Sequence, residues 1–378
     1  MNILLIIPEN RGTIASVSYN LYQALKKSSS HSIYVACLGP YVKNGYIFEN
    51  VFMFHQHGML KFIDRTIGLK RIKKKLNVDL SISTLLGCNY WNVLSGIGEK
   101  KIGVFHTKLI QRKESSGLLN YIMHYLCVEL ICVNLDKAIA VNYGTYQDLQ
   151  NLFHSHVKVD LAYNIHDFER IKNLSLEPIE DIVEQKIFEN AVLLYVGGLY
   201  QNIKGTDRLL KAFSMLKEQS LNLVLIGGDG EGALHNLRKM AVEYGVADHV
   251  FFLGYKENPY KYMNSAEVLV SPSRSEGLPG VLIEALSLGV KCVATNSSEG
   301  VWEIMECADS YNPNLDYNYK TEYGIIAPNN LNDETYTEKK LSEAIYAAWS
   351  SDFPEITRFN INRFSADTVL EHYLEVCR

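Results

Sequence analysis

The chain has 378 residues, a length that exceeds one ordinary hydrophobic core and suits two domains. Hydrophobic residues make up 47% of the chain and charged residues 21%, so the composition excludes a disordered or low-complexity protein. The formal net charge of −5 leaves no surplus of positive charge for a nucleic-acid backbone, so we expect no nucleic-acid partner.

The amino-terminal segment and the cysteines bear on the compartment. Met1–Pro8 is apolar but lacks the basic region and the cleavage site of a signal peptide, so it predicts a buried strand. The run Leu118–Val133 contains His124 and Glu129, which disfavour a membrane span. The seven cysteines are odd in number and form no C-x-x-C pair, which favours free thiols. We therefore expect a cytoplasmic protein.

Short apolar runs rich in Val and Ile alternate with longer helical patterns along the chain. Runs without polar alternation are typical of strands covered on both faces, so the pattern predicts parallel sheets flanked by helices and a doubly wound α/β fold. The predicted strands are Ile3–Ile7, Ile33–Leu38, Leu80–Ser83, Ile102–His106, Ala138–Val141, Val157–Leu161, Val192–Val196, Leu223–Ile226, Val250–Leu253, Val268–Ser271 and Lys291–Ala294.

The alternation pauses once, between residues 167 and 190, where the chain is charged and has no strand signal. It restarts at Ala191, so we place a domain junction in this segment and expect two α/β units of similar size that face a cleft. Ligands of such folds bind beyond the carboxyl ends of the strands, so the loops that follow the strands are the candidate sites.

The first candidate loop follows the strand that ends at Val196. Gly197 and Gly198 allow a phosphate to approach the backbone, and Lys204 stands just before a helix that begins near Thr206. A plain strand–turn–helix with a surface lysine explains the same residues. This segment alone leaves both interpretations open.

The second candidate loop contains residues 228–233, which fit the pattern G-x-G-x-x-A that accompanies dinucleotide binding. That function requires an acidic residue at the end of the next strand, where it binds the ribose. The strand Val250–Leu253 ends instead in Gly254, Tyr255 and Lys256. The motif also follows the second strand of its domain, so we reject an NAD-dependent enzyme.

The third candidate loop carries two carboxylates. It follows the strand that ends at Ser271 and presents Glu276, after which Pro279 begins a helix that carries Glu284 on its first turns. Carboxylates accept paired hydrogen bonds from sugar hydroxyls, and a helix N-terminus favours a diphosphate. The alternative is a helix-start acid at Glu276 and a solvated Glu284, but the apolar neighbours of Glu284 disfavour a solvated face.

Around these residues the sequence resembles the group 1 retaining glycosyltransferases of GT-B fold, of the bacterial polysaccharide and lipopolysaccharide type. The resemblance covers most of the chain and is densest over residues 191–305. Its hallmark, two glutamates with seven residues between them, is met by Glu276 and Glu284 in the context S-x-x-E-G-x-P-x-V-L-I-E-A. Flanking matches are Val250–Gly254, Leu288–Thr295, Trp302–Ile304 and Tyr163–Asp167.

The resemblance implies two Rossmann-like doubly wound domains that face a central cleft. The acceptor-binding domain would comprise residues 1–166 plus 358–378, because the last helix of the family returns to it, and the nucleotide-sugar-binding domain residues 167–357. The implied activity moves a hexose or N-acetylhexosamine from a UDP-sugar, with retention, to a glycan or polyprenyl-linked acceptor. Such transfers build surface polysaccharide, namely lipopolysaccharide or capsule.

The resemblance also implies residue roles. Glu276, His106 and Lys204 would be catalytic: Glu276 contacts the donor sugar, His106 lies near the reacting sugar, and Lys204 binds the diphosphate. Glu284 would hold the ribose. An ordinary strand-end histidine is the alternative for His106. The further donor-binding residues are Gly197, Gly198, Tyr255 and Lys256, which bind through their backbone, and the N–H groups of Gly277, Leu278, Gly280 and Val281.

The sequence departs from the family at the phosphate site. Gly198 replaces the usual arginine, and one residue is inserted before Lys204, so one of two expected phosphate cations is missing. Arg208 and Arg11 are candidate substitutes. Gly12 stands in the loop that usually reads G-G, where it would allow the donor to approach.

The sequence contains no D-x-D, so we expect neither a metal nor another cofactor beside the nucleotide-sugar co-substrate. Lys204 and the helix over residues 280–288 would then stabilise the charge that develops on the leaving diphosphate.

Residues 61–75 alternate apolar and basic positions at roughly helical spacing. This pattern is typical of a helix on an anionic membrane surface, which would place the protein peripherally on the cytoplasmic face of the membrane, beside a lipid-linked acceptor. A helix with a solvated basic face is the alternative.

Two other functions remain open from the sequence. A nucleotide-sugar 2-epimerase has the same architecture and would form product without an acceptor. A catalytically silent binding subunit is supported by the glycine at position 198.

Overall fold

The computed structural model describes residues 1–28, 31–43, 45–54, 64–107, 128, 132–154, 156–216, 220–230, 232–350, 356 and 358–377. The chain divides into two compact units, residues 1–167 with 362–378 (unit 1) and residues 168–361 (unit 2). The sequence places these junctions at 166/167 and 357/358.

The described residues of unit 1 form a seven-stranded parallel sheet in the order β3-β2-β1-β4-β5-β6-β7. The order reverses beside β1, which is the topology of a doubly wound sheet. The strands are β1 Asn2–Ile7, β2 Ser32–Cys37, β3 Val51–Met53, β4 Leu80–Thr84, β5 Lys100–Phe105, β6 Lys137–Ala140 and β7 Lys158–Leu161.

The described residues of unit 2 repeat this topology over the first five strands of the sheet and exchange the last two, in the order β10-β9-β8-β11-β12-β14-β13. All pairs are parallel except β13 with β14. The strands are β8 Ala191–Val196, β9 Leu221–Ile226, β10 Val250–Gly254, β11 Val268–Ser271, β12 Lys291–Thr295, β13 Tyr319–Lys320 and β14 Gly324–Ala327.

Helices connect the strands in both units. The longest, α13, packs on β12 and β14 and on α8. The helices are α1 Thr13–Ser28, α2 Leu69–Lys75, α3 Leu86–Leu94, α4 Tyr143–Phe153, α5 Phe168–Ser175, α6 Ile182–Ile187, α7 Gln201–Lys204, α8 Thr206–Ser214, α9 Ala233–Glu243, α10 Tyr260–Asn264, α11 Gly280–Ser287, α12 Glu299–Ile304, α13 Glu334–Ser350 and α14 Ala366–Leu374.

Every predicted strand is present, and three strands were missed. The central strands, such as β1, β8, β9 and β11, are mostly apolar and almost fully buried, as expected of strands covered by helices on both faces. The missed strands β3, β13 and β14 have two to four residues each, too short for an apolar run to stand out. The predicted strand end at His106 is corrected by one residue, because β5 ends at Phe105.

The carboxyl-terminal segment of unit 1 is tied to the sheet by the buried Lys137. Its ammonium donates to the carbonyl of His372 over 2.6 Å and pairs with Glu375 at 3.1 Å and with Asp160. Glu375 also pairs with Lys158 at 3.0 Å. Hydrogen bonds from Lys158 and Lys137 lower the pKa of Glu375 to about 2, so this attachment persists at neutral pH.

None of the helices in the described part of the chain is long and apolar enough to span a membrane. Most of the apolar run at 118–133 lies outside the described residues, as do residues 61–63. The rest of the basic segment forms a π-helical turn at Asp64–Gly68 and helix α2. The basic residues of α2 are not all exposed to solvent, because Lys73 is completely buried.

Lys73 belongs to a buried polar cluster under the unit 1 sheet. Its ammonium donates to the carboxylate of Glu99 and, over 2.7 Å, to the side-chain oxygen of Asn92. Ser81 also donates to that Asn92 oxygen, over 2.7 Å. Burial lowers the pKa of Lys73 to about 8, which shows that desolvation works against the charge. The cluster depends on both ions being present.

Replacing Lys73 with methionine leaves Glu99 buried and unpaired. We expect Lys73→Met to lower the free energy of unfolding of the full chain by about 3–5 kcal/mol in urea denaturation. The double variant Lys73→Met/Glu99→Gln removes both charges and should recover part of this loss. The matched control is Lys26→Met, whose exposed pair with Glu49 should contribute far less because water screens it. An equal effect of the Lys26 and Lys73 variants would contradict this account.

Candidate active site

The candidate site in unit 2 lies where the strand order reverses, between β8 and β11. Loops that leave adjacent strands in opposite directions open a crevice at this point, which is where doubly wound sheets bind ligands. Gly197 follows β8, and a Cβ atom at Gly227, after β9, would collide with the carbonyl of Gly197. Glycine is therefore needed at position 227 so that the two loops can pack together.

Gly205 brings Lys204 to the loop that follows β11. It ends the short helix α7 with a φ of +64°, a left-handed conformation that favours glycine. A Cβ atom there would collide with the carbonyl oxygen of Pro272. The N–H of Arg274 also donates to the carbonyl of Ile203 over 2.8 Å. The sequence pair Lys204-Gly205 thus joins the two sides of the crevice.

The joined loops place three polar side chains together. Lys204 donates to Oε1 of Glu276 over 2.7 Å, and the hydroxyl of Ser273 donates to the same oxygen over 2.7 Å. The Lys204 side chain is 28% exposed and that of Glu276 13% exposed, so the pair lies at the edge of solvent. A cation and a carboxylate meet here, and these are residue types that can bind an anion and sugar hydroxyls respectively.

A second cluster of charged side chains fixes the position of these loops. Arg274 binds Asp207 through two hydrogen bonds of 2.8 Å and also pairs with Glu334 at 2.9 Å. Arg208 pairs with Glu334 at 2.6 Å and donates to the side chain of Asn329 over 2.7 Å. The Arg208 side chain has no exposed surface. This burial contradicts the expectation that Arg208 contacts the donor phosphates; its contacts are structural.

Helix α11 begins at Gly280. Pro279, which was predicted to be its first residue, is instead the residue that precedes the helix. By their position, the N–H groups of Gly280 and Val281 have no acceptor within the helix, so they are available to an anion. The preceding loop is fixed because the hydroxyl of Ser298 donates to the carbonyl of Gly277 over 2.9 Å. Leu278 is buried and anchors the loop.

Glu284 lies in the second turn of α11 and is half-buried. The hydroxyl of Tyr260 donates to its Oε1 over 3.5 Å. Burial raises the pKa of Glu284 to about 7, and the Tyr260 hydrogen bond and the charge of Arg170 offset this only in part. Glu284 therefore titrates near neutral pH.

The loop after β10 is held by the segment that follows the domain junction. Lys256 pairs with Glu184 of α6 at 2.5 Å, and Tyr262 donates to the other Glu184 oxygen over 2.5 Å. Asn258 donates to the carbonyl of Leu174 over 2.8 Å. The Lys256 side chain is therefore engaged within unit 2, and the backbone contact with a base stays a prediction for this loop. Tyr255 is 60% exposed.

The predicted unit 1 residues lie at the carboxyl edge of that unit's own sheet. Gly12 follows β1 with a φ of +90°, which favours glycine, and Arg11 beside it is exposed. His106 follows β5 and is buried; its Nε2 has no hydrogen-bond partner among the described residues. Burial lowers the pKa of His106 to about 4, so the imidazole is neutral at physiological pH.

The structure thus brings together Lys204, Glu276 and the start of α11, and places Gly12 and His106 on unit 1. Sequence reasoning missed Ser273, although it is the serine of the S-x-x-E motif. It also missed the Arg274–Asp207 pair, for which the sequence carries no signal because the partners are 67 positions apart. In the described part of the chain no group of three metal-ligating side chains lies together, and the absence of a metal requirement stays a prediction.

Known proteins are similar to this chain over the region of the candidate site and beyond it. The family model described as "Glycosyl transferases group 1" matches residues 179–337. An N-acetylgalactosamine-N,N'-diacetylbacillosaminyl-diphospho-undecaprenol 4-alpha-N-acetylgalactosaminyltransferase of Campylobacter jejuni is 32% identical over 261 residues, which cover 66% of this chain and 67% of that protein. An uncharacterized glycosyltransferase of Methanocaldococcus jannaschii is 23% identical over 83% of this chain and 81% of its own length.

Solved structures share the fold of the whole chain. The lipopolysaccharide outer core galactosyltransferase WaaB matches with a TM-score of 0.68 at 17% identity, over 100% of this chain and 99% of that one. HepE from Anabaena, solved with UDP and glucose, matches with a TM-score of 0.72 at 15% identity, over 99% and 98%. The two doubly wound units of this chain therefore have the GT-B fold. From its residues, its fold and its relatives, the chain belongs to the group 1 glycosyltransferase family and is a glycosyltransferase.

Proposed function

We propose that the protein is a retaining glycosyltransferase that moves a hexose or N-acetylhexosamine from a UDP-sugar to a glycan or lipid-linked glycan, in the synthesis of surface polysaccharide or lipopolysaccharide. The observation that carries this proposal is the contact of Lys204 and Ser273 with Glu276 at the reversal of the strand order. Family membership supports the transfer reaction over the epimerase and over a silent subunit.

In the proposed complex the donor enters the crevice between β8 and β11. Its diphosphate replaces Glu276 as the partner of Lys204 and receives hydrogen bonds from the first N–H groups of α11. Glu276 then accepts hydrogen bonds from the sugar hydroxyls, Glu284 binds the ribose, and the backbone of the loop at Tyr255 faces the base. As the sugar leaves, negative charge grows on the diphosphate, where these fixed donors stabilise it.

The acceptor class is proposed from the relatives. The Campylobacter enzyme acts, by its name, on a diphospho-undecaprenol-linked glycan, and WaaB acts in the lipopolysaccharide outer core. The UDP moiety is proposed from the family resemblance, and HepE of the same fold was solved with UDP. We further propose that His106 binds substrate at the carboxyl edge of the unit 1 sheet, because its neutral imidazole is buried with Nε2 unpartnered among the described residues.

Glu276→Gln keeps the shape of the side chain but removes its charge and its pairing with Lys204. We expect the transfer rate to fall by at least about 100-fold, the range for losing one preorganised polar contact at a reacting centre. The assay follows sugar transfer from UDP-sugars to a lipid-linked glycan, and proton NMR of the product reports whether the anomeric configuration is retained.

The control is Glu267→Gln, an exposed glutamate just before β11, at the opposite edge of the sheet from Glu276. Its transfer rate should equal that of the wild type. A Glu276→Gln enzyme that works at the wild-type rate would remove Glu276 from the mechanism, and an inverted product would refute retention.

Because its pKa is raised to about 7, Glu284 is a carboxylate only above that pH. An ionised carboxylate accepts two ribose hydroxyls, whereas the protonated form loses one acceptor. We therefore expect the affinity for uridine to rise about tenfold from pH 6 to pH 8, following the ionised fraction. Uridine has no phosphate whose titration would overlap. In Glu284→Gln the profile measured by calorimetry should be flat; an unchanged slope would assign the titration to another group.

We also propose that α2 holds the enzyme at an anionic membrane surface. Lys70, Arg71, Lys74 and Lys75 are exposed on this helix. Each basic residue near such a surface contributes about 1 kcal/mol, so four of them suffice for salt-dependent binding.

Changing all four residues to glutamate should abolish cosedimentation with vesicles that contain phosphatidylglycerol. Binding of the wild type should weaken as salt is raised. Lys239→Glu, on an exposed helix of unit 2, should bind like the wild type. Equal binding of the wild type to neutral phosphatidylcholine vesicles would contradict an electrostatic contact.

A further inference from the structure

Tyr200 lies at the start of the loop that carries Lys204. Its N–H donates to the carbonyl of Gly198 over 2.8 Å, and its carbonyl accepts from the N–H of Lys204 over 2.9 Å. Tyr200 is therefore the residue just before α7, with an extended backbone, and Lys204 is the last residue of that helix. Lys204 in turn reaches Glu276, so Tyr200 belongs to the same loop as the lysine of the candidate site.

The ring of Tyr200 fills the gap between two glycine loops. A Cβ atom at Gly198 would collide with one edge of the ring, and a Cβ atom at Gly230 with the other. Neither glycine has a positive φ, so neither is required by its own backbone conformation. The glycines at 198 and 230 are thus explained by the space that the ring occupies, and the ring is held in place by the loops after β8 and β9.

The hydroxyl of Tyr200 has no hydrogen-bond partner among the described residues, and the side chain is 43% exposed. A ring fixed by packing on both edges presents its hydroxyl in a defined position at little entropic cost. By contrast, the hydroxyl of Tyr195 in the same strand end is satisfied, because it donates to the carbonyl of Gly198 over 2.7 Å. An oriented, unpaired donor in the loop that carries Lys204 is suited to an anionic oxygen.

We propose that Tyr200 is a donor-binding residue whose hydroxyl donates a hydrogen bond to a phosphate oxygen of the nucleoside diphosphate. Tyr200 would replace the phosphate contact of an arginine at position 198, because a side chain at 198 would displace the ring. Arg208 does not supply this contact, since it is buried against Glu334. The phosphate site of this chain therefore combines one cation, Lys204, with one neutral donor. This inference rests on the proposed function and adds a residue to its site.

The experiment compares the binding of UDP and of uridine by calorimetry. Tyr200→Phe keeps the ring in its gap and removes the hydroxyl alone. We expect its affinity for UDP to fall about tenfold, as for one lost hydrogen bond to a charged group, and its affinity for uridine to stay unchanged because uridine carries no phosphate. Tyr346→Phe, an exposed tyrosine on α13, is the matched control and should bind both as the wild type does.

A second pair of variants tests whether UDP binding depends on the position of the Tyr200 ring. Gly230→Ala should displace the ring and weaken UDP binding although the hydroxyl is still present. Gly228→Ala, in the same loop, meets no atom within 4 Å and should not. An equal loss in both alanine variants would overturn the role given to the ring position.

The two proposals fail in different ways. If the wild-type protein binds UDP and Tyr200→Phe binds it equally well, the inference on Tyr200 is wrong and the proposed function stands. If Tyr200→Phe loses affinity for UDP and uridine alike, its effect is structural and the inference is wrong. If the wild type binds neither compound, the UDP-sugar function itself is wrong, and Tyr200 loses its ligand with it.

Discussion

The ion pair between Lys204 and Glu276 joins the two loops that meet where the strand order of unit 2 reverses. Its formation depends on Gly205, which passes close to the carbonyl of Pro272 in a conformation that favours glycine. The pair is satisfied without ligand, yet it lies at the edge of solvent, so an anion from solution can reach the lysine. The ion pair therefore keeps both side chains ordered in the absence of ligand, and Lys204 can still change its partner.

The surroundings of this pair are rigid in ways that suit electrostatic catalysis. Arg274, Asp207 and Glu334 fix the loops from beneath, so the polar groups do not have to reorganise when charge develops on a leaving group. The buried Arg208 completes that support, which shows that a cation near the candidate site can stabilise the scaffold rather than contact a ligand. Glu284, with a pKa near 7, is the member of the site that responds to physiological pH.

The fold was predictable because strands covered by helices on both faces are mostly apolar, as β8 and β11 with their buried Leu193 and Val270 are. The short strands β3 and β14 could not be predicted, since a few apolar residues do not define a repeating pattern. Lys204, Glu276 and Glu284 could be predicted as site residues because a strand end, a glycine and a helix start mark them locally. The burial of Lys73 and Arg208 was not predictable, because their acidic partners lie 26 and 126 positions away and no local pattern reveals a distant charge.

The central claim is that Lys204 is the phosphate partner and that Glu276, which holds it in the absence of ligand, serves the sugar. The most direct test is the affinity for UDP of Lys204→Met and of Glu276→Gln, measured by calorimetry. The account predicts that Lys204→Met loses UDP binding, whereas Glu276→Gln binds UDP at least as tightly as the wild type, because its lysine no longer has to leave a carboxylate. Equal losses of UDP affinity in both variants would contradict it.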